Sequence, residues 1–247
     1  MQKRCFSYWH QGWENAPEVV RICAASFKKF HPDWDYQQLD QHTVVPWLAH
    51  DDRLKQLLPE CGHSLTHAQC SNLIRMSLLE YYGGVWADAT VLFVKPMNMW
   101  LAEYIDQGFF AFPFSQRDVY PLSNWFLYAD PRSPFLVKIN RAYRQALLTL
   151  FESCQLKSVD YYFFHQVIAK CLAEDDMCAD FWRQCPKFPS RDCSKFTYHD
   201  VDVATGQLLL ERCPLFKLNH MAGKVQKDIL QDEGLLSILQ ALKLSRF

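Results

Sequence analysis

Asp88 stands where ligand chemistry needs an acid. It follows Gly83-Gly84-Val85-Trp86-Ala87 and precedes Ala89-Thr90, behind a leucine-rich segment that carries Asn72 and Arg75. Leu73, Ile74, Leu78 and Leu79 recur at helical spacing across residues 66–82, and the double glycine ends that helix as a C-cap. Val85-Trp86-Ala87 is a short apolar run and predicts a strand, so Asp88 falls at a strand's carboxyl end, where α/β sheets bind ligands. Gly83 and Gly84 let the backbone turn sharply and keep side chains clear of a ligand. A carboxylate in this place suits a hard Mg²⁺ or Mn²⁺ ion bridging a diphosphate, and such an ion would stabilise a leaving nucleoside diphosphate. Arg75, two turns before the helix end, has the fork geometry to reach a sugar or a phosphate. Spacing alone also accommodates a plain glycine cap, a turn aspartate whose loss changes stability little, and a solvent-facing arginine.

The elements that must position these residues follow the pattern of an α/β fold. Residues 4–9 read as a buried strand that ends at a turn containing Gly12. A helix follows, with Asn15 as cap, Pro17 in its first turn and Val19, Val20, Cys23 and Phe27 on one face. A second strand is expected at 35–39, short helices and loops at 42–63, and strands at 85–87, 91–94, 108–112 and 125–128. Helices are expected at 134–151, 161–173 and 177–184, an irregular polar stretch at 186–207, a last strand at 215–218 and a closing amphipathic helix at 225–243, which Gly234 interrupts. There is no internal repeat and no linker, so one domain over residues 1–247 is the economical expectation.

Composition narrows the class. The 247 residues are 49% hydrophobic and 21% charged, with 26 basic against 27 acidic side chains, which gives no electrostatic footprint for nucleic acid or an anionic membrane. The ten cysteines are irregularly spaced and form no C-x-x-C pair, which argues against a zinc cluster. Thiols, together with an opening segment lacking a signal-like apolar core, point to a reducing cytoplasm. No run approaches the ~20 apolar residues of a membrane span. The closing helix either covers the core or rests on the inner face of the membrane, and its weak basic character favours the core.

The segment from Ser71 to Thr90 resembles the sugar-transferase region of the DXD-containing glycosyltransferases, which include fungal initiating mannosyltransferases and glucosylating bacterial toxins. Their pattern is an Asp, an Arg three residues on, a leucine-rich helix, Gly-Gly, an aromatic residue and Asp-x-Asp. Gly83-Gly84-Val85-Trp86-Ala87-Asp88-Ala89-Thr90 is especially similar to the bacterial capsular polysaccharide synthesis branch. Two further blocks match it: Tyr8-Trp9-His10-Gln11-Gly12-Trp13-Glu14-Asn15-Ala16-Pro17 and Asp160-Tyr161-Tyr162-Phe163-Phe164-His165. Together the blocks span roughly two-thirds of the chain in the family's order. Two positions depart from the pattern. Asn72 replaces the first acid, and Thr90 replaces the second acid of Asp-x-Asp, which removes one anionic metal ligand.

The resemblance implies a GT-A-like nucleotide-sugar fold with a mixed central sheet and a helical C-terminal part. It implies a retaining hexosyl transfer from a nucleotide sugar, a UDP-sugar first among them, to a glycan or lipid-linked glycan in surface polysaccharide synthesis. Asp88 and Arg75 are then the catalytic candidates. Trp9, Gly12, Asn72, Arg75, Gly84, Gly223 and Lys224 are the donor-binding ones, with Trp9 either stacking on the base or packing as core at the end of the first strand. Asp88 and His220 are the candidate ligands for Mn²⁺ or Mg²⁺, weakened by Thr90, and Asp160 and His165 are the acceptor-side candidates. Hydrolysis of the nucleotide sugar, a non-catalytic nucleotide-sugar or glycan-binding module, and a metal-dependent nuclease or phosphatase stay open. The last needs more clustered carboxylates than the segment offers.

Overall fold

Alternating side chains in the strands divide the apolar residues between two sides of one sheet. The computed structural model describes residues 1–114, 119–219 and 229–244. The chain runs β1 (Arg4–Tyr8), α1 (Glu18–Phe30), β2 (Asp35–Leu39), α2 (Asp52–Leu57), α3 (His67–Tyr82), β3 (Gly84–Ala87) and β4 (Val91–Phe93). It continues through β5 (Phe109–Pro113), β6 (Leu122–Ala129), α4 (Pro134–Glu152), α5 (Phe163–Glu174), α6 (Asp176–Gln184), α7 (Lys195–Tyr198), α8 (Val203–Arg212), β7 (Leu215–Lys217) and α9 (Glu233–Ala241). The main sheet has the order β2-β1-β3-β6-β5, and β4 pairs with β7 in a second, two-stranded sheet. β1 is parallel to β2 and β3, and β6 is antiparallel to β3 and β5, so the sheet is mixed, as expected. Cys5, Val85, Phe110 and Tyr128 point to the side covered by α1, β4, β7 and α9. Their neighbours Phe6, Trp86, Phe109 and Leu127 point to the side covered by α3, α4 and α5. This period of two, with both faces covered, makes a layered α/β fold.

The segment around Asp88 is built by local rules. Thr66 and Gln69 form a capping box at the start of α3, in which the Thr66 hydroxyl accepts from the Gln69 N–H at 3.3 Å and Gln69 Oε1 accepts from the Thr66 N–H at 2.7 Å. At the other end Gly83 has φ 66° and Gly84 has φ 94°. A Cβ on Gly83 would stand 2.5 Å from the Pro131 ring, and one on Gly84 would stand 2.6 Å from the Arg4 carbonyl oxygen. The double glycine therefore turns the chain and lets β3 lie directly against β1.

Four expectations need correction. α1 begins at Glu18 behind Pro17, without a side-chain cap, so Asn15 does not cap it. Residues 186–207 are not wholly irregular, because they contain α7 and the start of α8. Asp202 caps α8 by accepting from the Thr205 N–H at 2.8 Å, and Gly206 lets that helix approach Gly234, whose carbonyl oxygen would lie 2.7 Å from a Cβ at 206. Over the described residues 229–244 the closing helix covers Glu233–Ala241. Residues 225–228 of that expectation lie outside the described residues, and within the rest α9 starts behind Asp232, which accepts from the Leu235 N–H at 2.9 Å and the Val201 N–H at 2.8 Å, with Gly234 in its first turn. Its Leu235, Ile238 and Leu239 are buried in the sheet-side core, which is the core-closing role. Finally, Cys61 and Cys70 are joined in a disulfide, with Cα atoms 5.8 Å apart. The chain is not all thiol, and its cysteines no longer argue for a reducing compartment. Among the described residues, no helix is long and apolar enough to cross a membrane.

Candidate active site

β1 and β3 are parallel neighbours, so their carboxyl ends open on the same edge of the sheet. Trp9 follows the first and Asp88 the second. The Asp88 amide donates to the Trp125 carbonyl at 2.8 Å, which fixes the turn out of β3. Its Oδ1 accepts from Trp86 Nε1 at 2.9 Å and lies 3.2 Å from an Arg75 Nη. Its Oδ2 accepts from Lys217 Nζ at 3.0 Å, and the same ammonium donates to Thr90 Oγ1 at 2.6 Å.

Arg75 is held as a rigid part of α3. Its side chain is 4% exposed. Nε donates to the Ser71 carbonyl at 3.1 Å, one Nη donates to Ser71 Oγ at 2.9 Å, and the other donates to the Asn124 carbonyl. The guanidinium lies 4.9 Å from the Trp86 ring centroid, within cation–π range. Asn72 is buried behind this arrangement, where its Oδ1 accepts from Asn124 Nδ2 at 2.8 Å. It therefore positions Asn124, and through it Arg75, instead of lining the cleft.

These charges surround a cleft of about 210 Å³, lined by Trp9, His10, His67, Arg75, Asp88, Thr90 and Lys217 among others. A wider surface cleft of about 650 Å³ at Lys138, Arg141 and Asp175 has no comparable convergence on one buried arginine. Burial alone would raise the Asp88 carboxyl, but Lys217 and Arg75 outweigh it and hold the group below the usual carboxylate range. Burial, with help from His67, lowers His10, whose ring stacks on His67 at 4.0 Å. Among the described residues, the fixed charges of the cleft are one carboxylate and two cations, a surplus suited to an anion.

The residues do not fit a divalent ion as well as they fit an anion. Among the described residues Asp88 is the cleft's one carboxylate, and both of its oxygens are engaged. Thr90 offers a neutral oxygen that already accepts from Lys217. Among the described residues, no three His, Cys, Asp or Glu side chains converge as a metal site. His220, Gly223 and Lys224 lie outside the described residues.

Of the residues singled out from sequence, the structure brings Asp88, Arg75 and Trp9 to one cleft. Gly12 (φ 90°) closes the turn that carries Trp9, donating its N–H to the Trp9 carbonyl at 3.1 Å. Gly84 is at the far end of β3 against β1, so it is a packing glycine and does not touch the cleft. Asp160 is exposed and caps a turn, accepting from the Tyr162 N–H at 2.7 Å. His165 is buried among Phe114 and Tyr120, and burial, assisted by Arg75, lowers it to about 4, so it is a packed neutral ring. Sequence reading missed Lys217 and Asn124. A lysine at the end of the apolar run Leu215-Phe216-Lys217-Leu218 was the one local signal for the first.

With this geometry, the layered sheet and its strand-end cleft are those of a GT-A-like glycosyltransferase fold. The PaToxG glycosyltransferase superposes with a TM-score of 0.50 at 14% identity, over 74% of this chain and 75% of that one. Residues 1–232 match the capsular polysaccharide synthesis protein family, and the chain belongs to it. The chain is also similar to the O-glycosyltransferase braB of Annulohypoxylon truncatum, at 28% identity over 94 residues, which cover 35% of this chain and 22% of that relative.

Proposed function

We propose that this chain, as a single domain over residues 1–247, transfers a hexosyl group from a nucleotide sugar to a glycan acceptor during polysaccharide synthesis. The observation that carries the reading is the Arg75–Asp88–Lys217 cluster beside Trp9 at the carboxyl edge of β1 and β3. Trp9 offers a face for the base, that of a UDP-sugar first among them. Arg75 and Lys217 supply positive charge where the leaving diphosphate gains negative charge as its bond to the anomeric carbon breaks. Asp88 holds both cations in place and presents its remaining lone pairs to donor hydroxyls. Retention of configuration follows the family resemblance.

The acceptor side is better served by aromatic faces than by Asp160 or His165. Gln69 on α3 donates to the Val159 carbonyl at 3.0 Å and ties the turn before α5 to the helix that carries Arg75. That turn presents Tyr161, which is 70% exposed, beside Tyr162 stacked on Tyr120 at 5.3 Å. Such rings suit the faces of a glycan, lipid-linked or free, at the inner side of the cytoplasmic membrane.

The test is a panel of nucleotide sugars scored by thermal shift, followed by mass spectrometry of products with oligosaccharide and lipid-linked acceptors. A cognate donor raises the melting temperature by mass action and yields an elongated glycan. Free sugar as the sole product would assign hydrolysis. Donor binding without any turnover would assign a binding module, and absence of both would end the reading.

A further inference from the structure

We propose that Lys217 is a built-in cation that takes the place of the divalent metal of Asp-x-Asp glycosyltransferases, so that this chain binds nucleoside diphosphates without metal. The inference rests on the transferase reading and deepens it.

Position comes first. Lys217 Nζ lies 3.0 Å from Asp88 Oδ2 and 2.6 Å from Thr90 Oγ1, bridging the two positions that an Asp-x-Asp pair would offer to an ion. The backbone fixes it there. β7 pairs with β4 so that Lys217 stands opposite Val91, and the Leu218 N–H donates to the Thr90 carbonyl at 2.9 Å. Phe216 and Leu218 are buried on either side of it and anchor the strand in the core.

Charge agrees with position. Thr90 in place of an acid removes one negative charge, and Lys217 adds one positive charge. Together they supply the two charges that a divalent ion would bring to an Asp-x-Asp site. A metal added here would face two cations across a single carboxylate among the described residues. The ammonium has three N–H donors, of which Asp88 and Thr90 take two, and among the described residues the third has no partner and can meet a phosphate oxygen. As the anomeric bond breaks, its electron pair passes to the diphosphate oxygen, and the Lys217 ammonium balances the new charge.

Isothermal titration with UDP and GDP, in EDTA and in Mn²⁺, tests this on the whole chain. The wild type is expected to bind its preferred nucleotide with affinities within about two-fold in the two conditions. Lys217→Met is expected to weaken binding by about ten-fold or more in both, and Lys217→Arg to restore most of it, as loss and return of a charge-assisted hydrogen bond would. In a second measurement, the spin-resonance signal of free Mn²⁺ should be unchanged by the wild type. It should be reduced by the double variant Thr90→Asp, Lys217→Ala, whose nucleotide binding then becomes sensitive to EDTA. Wild-type binding that disappears in EDTA and returns with Mn²⁺ overturns the role of Lys217 and leaves the transferase reading standing. Absence of nucleoside diphosphate binding in both conditions overturns the two together. The wild-type titration decides even if the double variant does not fold.

Discussion

Helix α3 carries a polar cluster on each of two sides, and the two differ in their charge balance. Arg75 and Ser77 are two positions apart, which turns them to opposite faces of the helix. On the Ser77 side, Asp51 Oδ2 accepts from Ser77 Oγ at 2.7 Å and lies 2.5 Å from Arg144, while Asp51 Oδ1 caps α2 through the Leu54 N–H at 3.0 Å. Glu80 accepts from Asn140 at 2.5 Å and lies 3.9 Å from Arg144. The cleft there is larger, about 370 Å³, but Asp51, Asp52 and Glu80 face Arg132 and Arg144 with no cationic surplus. On the Arg75 side two cations meet one carboxylate at the end of a strand. The first network joins α2, α3 and α4. The second is left one negative charge short, and a ligand can supply it.

Removing the acid from each side in turn is the sharpest way to break that contrast. Asp88→Asn keeps the shape and should lower transfer by about a thousand-fold or more, while Asp51→Ala should leave nucleotide affinity of the folded protein unchanged, as steady-state rates and titration would show. The stabilities should move the other way from a simple surface reading. Asp88→Ala strands the buried Arg75, so it should cost on the order of 3–5 kcal/mol, as should Asp51→Ala beside Arg144, measured by urea unfolding. That revises the expectation, drawn from sequence, that Asp88 is a dispensable turn acid for stability.

Acid should weaken the fold through rings that belong to neither ion cluster. Burial lowers His31 and His165 from 6.5 to about 4. His31 Nε2 accepts from the Met97 N–H at 2.9 Å and must be unprotonated to do so. The unfolded chain takes up these protons first, so stability is full above about pH 6.5 and falls as pH drops towards 4, by on the order of 3 kcal/mol for each ring. Urea midpoints at pH 7 and pH 5 should show it, and His165→Phe should flatten the slope. Two smaller changes then sharpen the comparison. Trp9→Ala should weaken nucleotide binding by about ten-fold, through lost stacking, with little change in unfolding. Thr66→Ala should do the reverse and cost about 1 kcal/mol through the α3 cap without touching affinity.

What was legible in the sequence is what depends on neighbours in the chain. The β1–α1–β2 opening, α3, the glycine turn and the position of Asp88 all follow from spacing and from glycine, and they are where the pattern put them. The resemblance places Asn72 among the donor-binding residues, and its amide type allows that. Its partner Asn124 sits 52 residues away on β6, and only the folded sheet shows that the pair faces inward. Lys217 escaped for the same reason, since nothing local says that β7 pairs with β4. The Cys61–Cys70 bond is short in sequence, yet it depends on how the preceding loop folds back on α3. α8 was missed because Asp202, Thr205 and Gly206 look like loop residues until the cap and the contact with Gly234 are seen.

The pairing of β4 with β7 also bears on the order in which the molecule assembles. Asp88 and Lys217 are 129 positions apart, while the contacts of Arg75 with Ser71 lie within one turn. A growing chain can therefore form α3 early, whereas closing so long a loop is slow and must await synthesis of the second strand. Until Lys217 arrives, Asp88 and Thr90 lack the ammonium that bridges them, and the cleft lacks the charge that suits it to an anion. On the role proposed for Lys217, competence to hold a phosphate would therefore be acquired late in folding, and affinity for a nucleotide would report on completion of the fold better than helix content does.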